Sequence, residues 1–292
     1  MAAIGTSSIT LPREVQLATI GKLKDSSTIA ALTPAEPMLF QDVENLYFSA
    51  GVKGEVVGEG AAKGYSNPTI AQVPAKIFKV HTTTRVNAEL KWADEDARMG
   101  IVQAITEDQF RACGETLDYV VYHAINPLPG TALGSGYTAL TAMTGVHSVT
   151  SASDPVVDWD AMLAQFTNYA PTGVALSRTQ AAAMRGARDN LGHRMWPDLP
   201  VNLNVTNVDG IAAAVSNSVY GSLAGTPPQV LAIMGDFSAI KWGMVRDPKA
   251  EVIEYGDPDG QGDLKRYNQI AYRVESVFAY AVLDADAFAV LS

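Results

Sequence analysis

The stretch from Asp94 to Asn126 constrains this chain more than any other. Asp94, Glu95 and Asp96 place negative charge where a helix N-terminus favours it. Val102, Ile105, Phe110, Cys113, Leu117, Val120, Val121 and Ala124 then recur at threes and fours, one apolar stripe along a helix. Asn126-Pro127 ends the pattern, because proline lacks the amide hydrogen and clashes with the preceding turn. About thirty residues at ~1.5 Å each predict a rod of roughly 45 Å. Such a rod suits a flat, extended molecule better than a small globule. Gly100 and Gly114 lie inside it, each costing about 1 kcal/mol against alanine, so a bend or a close contact is expected there.

The remaining chain has the material to build a core on that rod. Of 292 residues, 47% are hydrophobic and 18% charged, enough for one large domain or two small ones. The formal net charge of -10 and pI near 4.8 argue against a surface built to grip phosphates. The low charged fraction leaves room for contact between copies. No apolar run approaches the ~18 residues of a membrane span. Met1 to Thr10 lacks the basic start and apolar centre of a signal peptide, so synthesis and retention in cytoplasm are expected. Cys113 is the only cysteine, which excludes an intramolecular disulfide; on the apolar stripe it acts as a small hydrophobe.

Ahead of the rod, Met1 to Ser8 is small and polar. Leu11 to Lys24 reads as a short amphipathic helix through Val15, Leu17, Ile20 and Leu23. Ser26 to Pro37 reads as extended rather than packed, so residues 1–37 form an arm whose apolar face needs a neighbour. Within Val52 to Leu90, a strand is expected from Glu55 and a flexible polar tip over Gly58 to Gly64. From Ile77, Phe78, Val80, Thr82, Thr84 and Val86 alternate with Lys79, His81, Thr83 and Arg85, a period of two. The whole is expected to be one long β-hairpin, marginal in water unless another surface holds it. Val15, Ile20, Glu59, Lys63, Phe78 and Arg85 are the candidate contacts with a neighbouring copy.

Beyond the rod, Pro127 to Ser153 reads as a loop region with one short strand pair. Asp158 is expected to cap a helix reaching Tyr169, and Val174 to Leu176 to form a buried strand. Ser177-Arg178-Thr179-Gln180 has the form of a capping box, opening a helix to about Asn190 that Gly192 ends. Short strands are expected at Val201–Thr206, Val230–Met234 and Ala250–Tyr255, and a long one at Tyr267–Leu283. Gly256 to Gly262 is an exposed turn. The expected class is α+β.

Catalytic chemistry has no foothold in these patterns. The four histidines, His81, His123, His147 and His193, lack metal-ligand spacing. Gly58-Glu59-Gly60 and Gly134-Ser135-Gly136 lack the strand-to-helix setting and the lysine of a phosphate loop. Asp257, Asp259 and Asp263 lack the glutamate that closes a calcium loop. No metal and no cofactor is expected.

Arm, hairpin, rod, α/β region and terminal long strand together resemble the tailed-phage major capsid proteins of the Hong Kong 97 type. Three passages carry the resemblance. They are Lys76-Ile77-Phe78-Lys79-Val80 through Glu89-Leu90, Gly235-Asp236-Phe237 with its flanks, and Arg273-Val274-Glu275 to the ending Ala287-Phe288-Ala289-Val290-Leu291. The resemblance implies an arm at 1–37 and an extended loop at 50–90. It implies a peripheral domain at 38–49, 91–154 and 246–292, with a spine helix at 94–126, and an axial domain at 155–245. It implies a structural subunit that forms pentamers and hexamers of a shell around double-stranded DNA, held without sequence-specific binding. Partners would be a separate scaffolding protein, since no long scaffolding segment precedes Leu11, and a portal protein. Some relatives weld subunits by an isopeptide bond; Lys63, Asn268 and Glu275 fall near the lysine, asparagine and glutamate positions. Two alternatives stay open: an encapsulin-like compartment of the same fold, and a small α/β enzyme or binding module.

Overall fold

The computed structural model describes residues 26–37, 44–50, 52–89, 95–221 and 229–292. The helix expected at Leu11–Lys24, with Val15 and Ile20, lies outside them. The described chain runs α1 (Thr28–Leu32), β1 (Glu44–Ala50), β2 (Thr69–Pro74), β3 (Lys76–Asn87) and the long helix α2 (Glu95–Asp118). After a π-helical turn at Tyr119–His123 come β4 (Ile125–Asn126), β5 (Thr131–Ala132), β6 (His147–Val149), α3 (Pro155–Leu163), β7 (Gly173–Leu176) and α4 (Arg178–Gly186). The last third holds β8 (Asn207–Val208), β9 (Ile211–Val215), β10 (Ala232–Gly235), β11 (Ile240–Ile253), β12 (Gln269–Val282) and β13 (Phe288–Leu291).

The apolar stripe folds as expected and buries Phe110, Cys113, Leu117, Val120 and Val121. It lies on an antiparallel sheet of order β11-β12-β3, sharing one core with Phe78, Val80, Val274 and Phe278. Gln109 ties helix to sheet: its Nε2 donates to Thr84 Oγ1 at 3.0 Å and to the Tyr272 carbonyl at 2.8 Å. The regular helix ends before Pro127. The wider π turn takes over at Tyr119, and Ala124, at φ 51°, closes it by donating its N–H to the carbonyls of Tyr119 and Val120. The space around Gly100 is open, so no close contact accounts for that glycine, whereas Gly114 is buried.

A second sheet has the order β6-β13-β10-β7-β9-β8. Its central strands are buried on both faces, which explains their unbroken apolar runs. Ala175, Ile233 and Val290 face the core beneath α2, while Val174, Leu176, Met234 and Leu291 face a second core. That second core is closed by Trp159 and Met162 of α3, Met184 of α4, and Trp196.

Several expectations are corrected. Residues 26–33 are packed, not extended: Ser27, Thr28, Ile29 and Thr33 are buried. No strand forms at Glu55. The hairpin pairs β1 with β2, from Glu44 opposite Pro74 to Ala50 opposite Thr69, and β3 pairs with β12 instead. Phe78 is therefore an interior residue, stacked 5.6 Å from Phe278, and not a surface contact. Asp154 caps α3, accepting from Val156 N–H, while Asp158 turns inward to Ser151 Oγ and Ala152 N–H. Ser177 caps α4 as expected, but the helix stops at Gly186. No strand forms at Val201–Thr206, and the strand expected at Ala250 begins ten residues earlier, at Ile240.

Candidate assembly site

Asp118 sits at the last residue of α2 with its carboxylate fully buried. It accepts five hydrogen bonds, from Ser27 Oγ, Thr28 N–H, Thr28 Oγ1, Ile29 N–H and Ser218 Oγ, at 2.6 to 3.3 Å. Burial pushes its carboxyl above the usual carboxylate range, and the bonds from Ser218, Ser27 and Thr28 pull it back. Thr28 Oγ1 also meets Tyr122 Oη at 2.9 Å. Further along, Thr33 Oγ1 donates to the Phe237 carbonyl, Trp242 Nε1 to the Thr33 carbonyl, and Lys241 Nζ to Glu36 at 2.6 Å. Residues 27–36 are thus bolted where the long helix and both sheets meet. Sequence reasoning missed this anchor. Its only signal was an aspartate directly after Leu117 on a buried stripe.

Two loops lie at the ends of the strands. The loop after β11 is drawn in by Arg85, whose guanidinium meets Asp257, Asp259, Gln269 Oε1 and the Gly262 carbonyl. That contact holds Asp259 below the usual carboxylate range. Arg273 Nη2 adds a bond to the Pro258 carbonyl at 2.7 Å. Two of the three aspartates weighed as a calcium loop, Asp257 and Asp259, are thus matched with an arginine of the same chain, while Asp263 accepts from the Arg266 N–H. By contrast, residues 52–68 have no regular secondary structure and leave Val52, Val56 and Tyr65 exposed, with Ile70 just beyond.

The remaining expected site residues are scattered. Glu59 and Lys63 are exposed in the 52–68 loop. Arg85 is spent inside its own subunit. Asn268 is exposed at φ 53°, and its Nδ2 donates to Glu89 Oε1 at 3.2 Å. Glu275 is paired with Lys79 Nζ at 3.0 Å, which lowers its carboxyl below the usual range. Within one subunit, neither Asn268 nor Glu275 has Lys63 among its bonded partners. Cys113 is buried, its thiol pushed up to about 12 by desolvation.

Residues 7–292 of the sequence match the phage capsid family. The chain belongs to that family. Solved structures agree with it. A chain of Mycobacterium phage Ogopogo is 34% identical, with a TM-score of 0.79 and 91% of each chain covered. A chain of Gordonia phage Cozz is 27% identical, with a TM-score of 0.72 over 90% of this chain and 85% of that one. The capsid of a native GTA particle, computed with C5 symmetry, shares the fold at 14% identity, with a TM-score of 0.60 over 91% and 89%. Curated protein sequences give no significant match.

This capsid subunit is a structural component of a phage shell and of the virion, not an enzyme. Its mixed α+β fold is that of phage capsid chains, consistent with the Hong Kong 97 type. Among the described residues, no group of three His, Cys, Asp or Glu could hold a metal ion, and no helix is long and apolar enough to cross a membrane. Two of the passages carrying the resemblance meet in space. Asp236 N–H donates to the Ala287 carbonyl at 3.0 Å, and Phe237 lies edge-on to Phe288 at 5.7 Å. A Cβ on Gly235 would come within 2.4 Å of the Ala287 carbonyl oxygen, so only glycine lets β10 and β13 close there.

Proposed function

We propose that copies of this subunit join as pentamers and hexamers into a closed icosahedral shell around the double-stranded DNA of a tailed phage. The observation that carries this reading is the 52–68 loop on its hairpin. Val56 and Tyr65 stand almost wholly in water, at 101% and 91% relative exposure, on a loop that its own subunit does not cover. In a capsid-family chain, a neighbouring copy is the surface that would cover them. Each such contact can be weak, because closed symmetry repeats it many times. We assign residues 1–37 to an arm, 50–90 to the extended loop, and 155–245 to the axial domain. Segments 38–49, 91–154 and 246–292, with the spine helix at 94–126, form the peripheral domain. The Asp118 anchor ties the 27–36 end of that arm to the body. A separate scaffolding protein and a portal complete the assembly in the host cytoplasm. The acidic subunit holds DNA without sequence-specific contacts, because repulsion between like charges keeps the packaged polymer free to leave.

The test is size-exclusion chromatography with negative-stain microscopy on the purified subunit, alone and co-expressed with its scaffolding protein, with and without nuclease. Closed shells, with DNA in native particles, are the expected result. A compact monomer under every condition overturns the reading, and shells holding cargo protein in place of DNA identify the encapsulin-like alternative. Isopeptide welding by Lys63, Asn268 and Glu275 is read from the same particles. Lys63 Nζ would bond to Asn268 Cγ as the Cγ–Nδ2 bond breaks and ammonia leaves, which requires Lys79 to release Glu275 and a neighbour to desolvate Lys63, since a lysine must be neutral to attack. A ladder on a denaturing gel establishes it; monomer bands alone end it.

A further inference from the structure

Every open sheet ends in strands whose outward N–H and C=O groups lack partners. Proteins blunt such edges with short strands, bulges, proline or projecting charge. Among the described residues, the two larger sheets of this subunit blunt every edge but one. In the six-stranded sheet, the edge strands β6 and β8 have three and two residues. Strand β11 is interrupted by register shifts between Met244 and Arg246 and between Arg246 and Lys249, with Pro248 inside the second. Strand β3 has no such device. Its twelve residues pair with β12 in unbroken register, from Lys76 opposite Tyr280 to Asn87 opposite Gln269. That is an edge of about 40 Å. Among the described residues, no strand pairs with its other side.

The register says which groups face outward. Ala88 N–H donates to the Asn268 carbonyl at 2.8 Å, continuing the β3–β12 ladder. Alternation then turns the backbone groups of even-numbered β3 residues toward β12 and those of Lys79, His81, Thr83 and Arg85 away from it. The Ile77 carbonyl, in the outward set, is taken by Tyr137 Oη at 2.9 Å. The two cations on this edge do not guard it. Lys79 is drawn onto Glu275, and Arg85 is folded onto Asp257 and Asp259.

We propose that the outward edge of β3, from Lys79 to Arg85, accepts a strand of the β1–β2 hairpin from a second copy of this chain. The inference rests on the shell reading and names the surface that the hairpin meets. The hairpin strands have seven and six residues, each with one side unpaired among the described residues, which matches the span from Lys79 to Arg85. Donor and acceptor are different parts of the chain, so the contact is head-to-tail, the kind that forms rings when its rotation closes. Main-chain hydrogen bonds supply the adhesion, and strand addition of this kind needs no side-chain motif.

Residue-resolved hydrogen exchange on free subunit and assembled shells tests it. In the free subunit, Val80, Thr82 and Thr84 amides are protected while Lys79, His81, Thr83 and Arg85 exchange quickly. In shells both sets become slow, together with the hairpin's outward amides. A His81→Pro variant removes one outward N–H and leaves the β12 ladder whole. Its shell yield should fall about tenfold or more, since the lost bond recurs in every copy, while His81→Ala assembles normally. Shells whose outward β3 amides exchange as fast as in the free subunit overturn this proposal and leave the shell reading standing. Slow β3 amides beside fast hairpin amides overturn the choice of the hairpin. A wild-type chain that forms no shells overturns both readings. If His81→Pro fails to fold, the exchange pattern of wild-type shells decides.

Discussion

The loop between β11 and β12 and the loop between β1 and β2 are alike in composition, polar and rich in glycine, yet their bonding differs. The first is saturated from within. Leu264 is buried, Asp257 accepts from Gly262 N–H, Leu264 N–H donates to the Gly256 carbonyl, and Arg85 and Arg273 grip it from neighbouring strands. The second has bonds mainly across its own neck, from Lys53 N–H to Ser66 Oγ and from Gly64 N–H to Glu55 Oε2. One loop is completed by its own subunit; the other leaves an apolar surface uncovered. Composition does not separate the two, because the deciding residue, Arg85, lies more than 170 positions from the loop it holds.

If segments completed within the subunit sustain its stability, the largest loss should come from the Asp118 anchor. Replacing Asp118 with alanine leaves three hydroxyls and two amides without their acceptor and should cost about 3 kcal/mol or more in denaturant unfolding. A loss under about 0.5 kcal/mol, the range of ordinary surface changes, would show that the anchor adds little. Next, Arg85→Ala should lower the melting temperature by a few degrees and bring exchange at 256–262 up to the rate of 52–68. Unchanged exchange would break the comparison outright.

A smaller effect is expected from His123. Burial lowers its pKa below the ordinary value of 6.5, while Nε2–H donates to the Ser218 and Val219 carbonyls. The unfolded chain then binds the proton more readily, so stability should rise with pH from the lowered folded pKa up to about 6.5 and be lost as pH falls through that window. A His123→Gln variant should flatten the slope, which melting curves against pH would register. Smallest of all in the free subunit is Val56→Asp with Tyr65→Asp. Its stability should stay within about 0.5 kcal/mol of wild type while shell formation is lost. Destabilised monomers, or normal shells, would count against an uncovered loop.

Periodic features were legible in the sequence. The long helix, the long strand β12 and the Ser177 cap follow from spacing, since each depends on residues close in the chain. What was hidden depends on distant partners. Strand β11 could not be traced through Arg246 to Lys249, where its bulges break the alternation. The fate of Ser26 to Pro37 turned on a carboxylate some ninety positions away, and its serines and threonines alone read as solvated chain. Of the candidate contacts, Glu59 and Lys63 stand exposed on the 52–68 loop, whereas Phe78 is buried, because β3 pairs with β12 and not with the 55–57 segment.

The buried thiol of Cys113 has a practical consequence. It is the chain's only sulfhydryl, wedged between the long helix and the sheet, with its ionisation suppressed to about 12. Thiol reagents attack the thiolate, so the native subunit should be chemically silent toward them. Any labelling at Cys113 is then a clock for the helix lifting from its bed, and its rate in free subunits, young particles and aged ones ranks how firmly each holds it down.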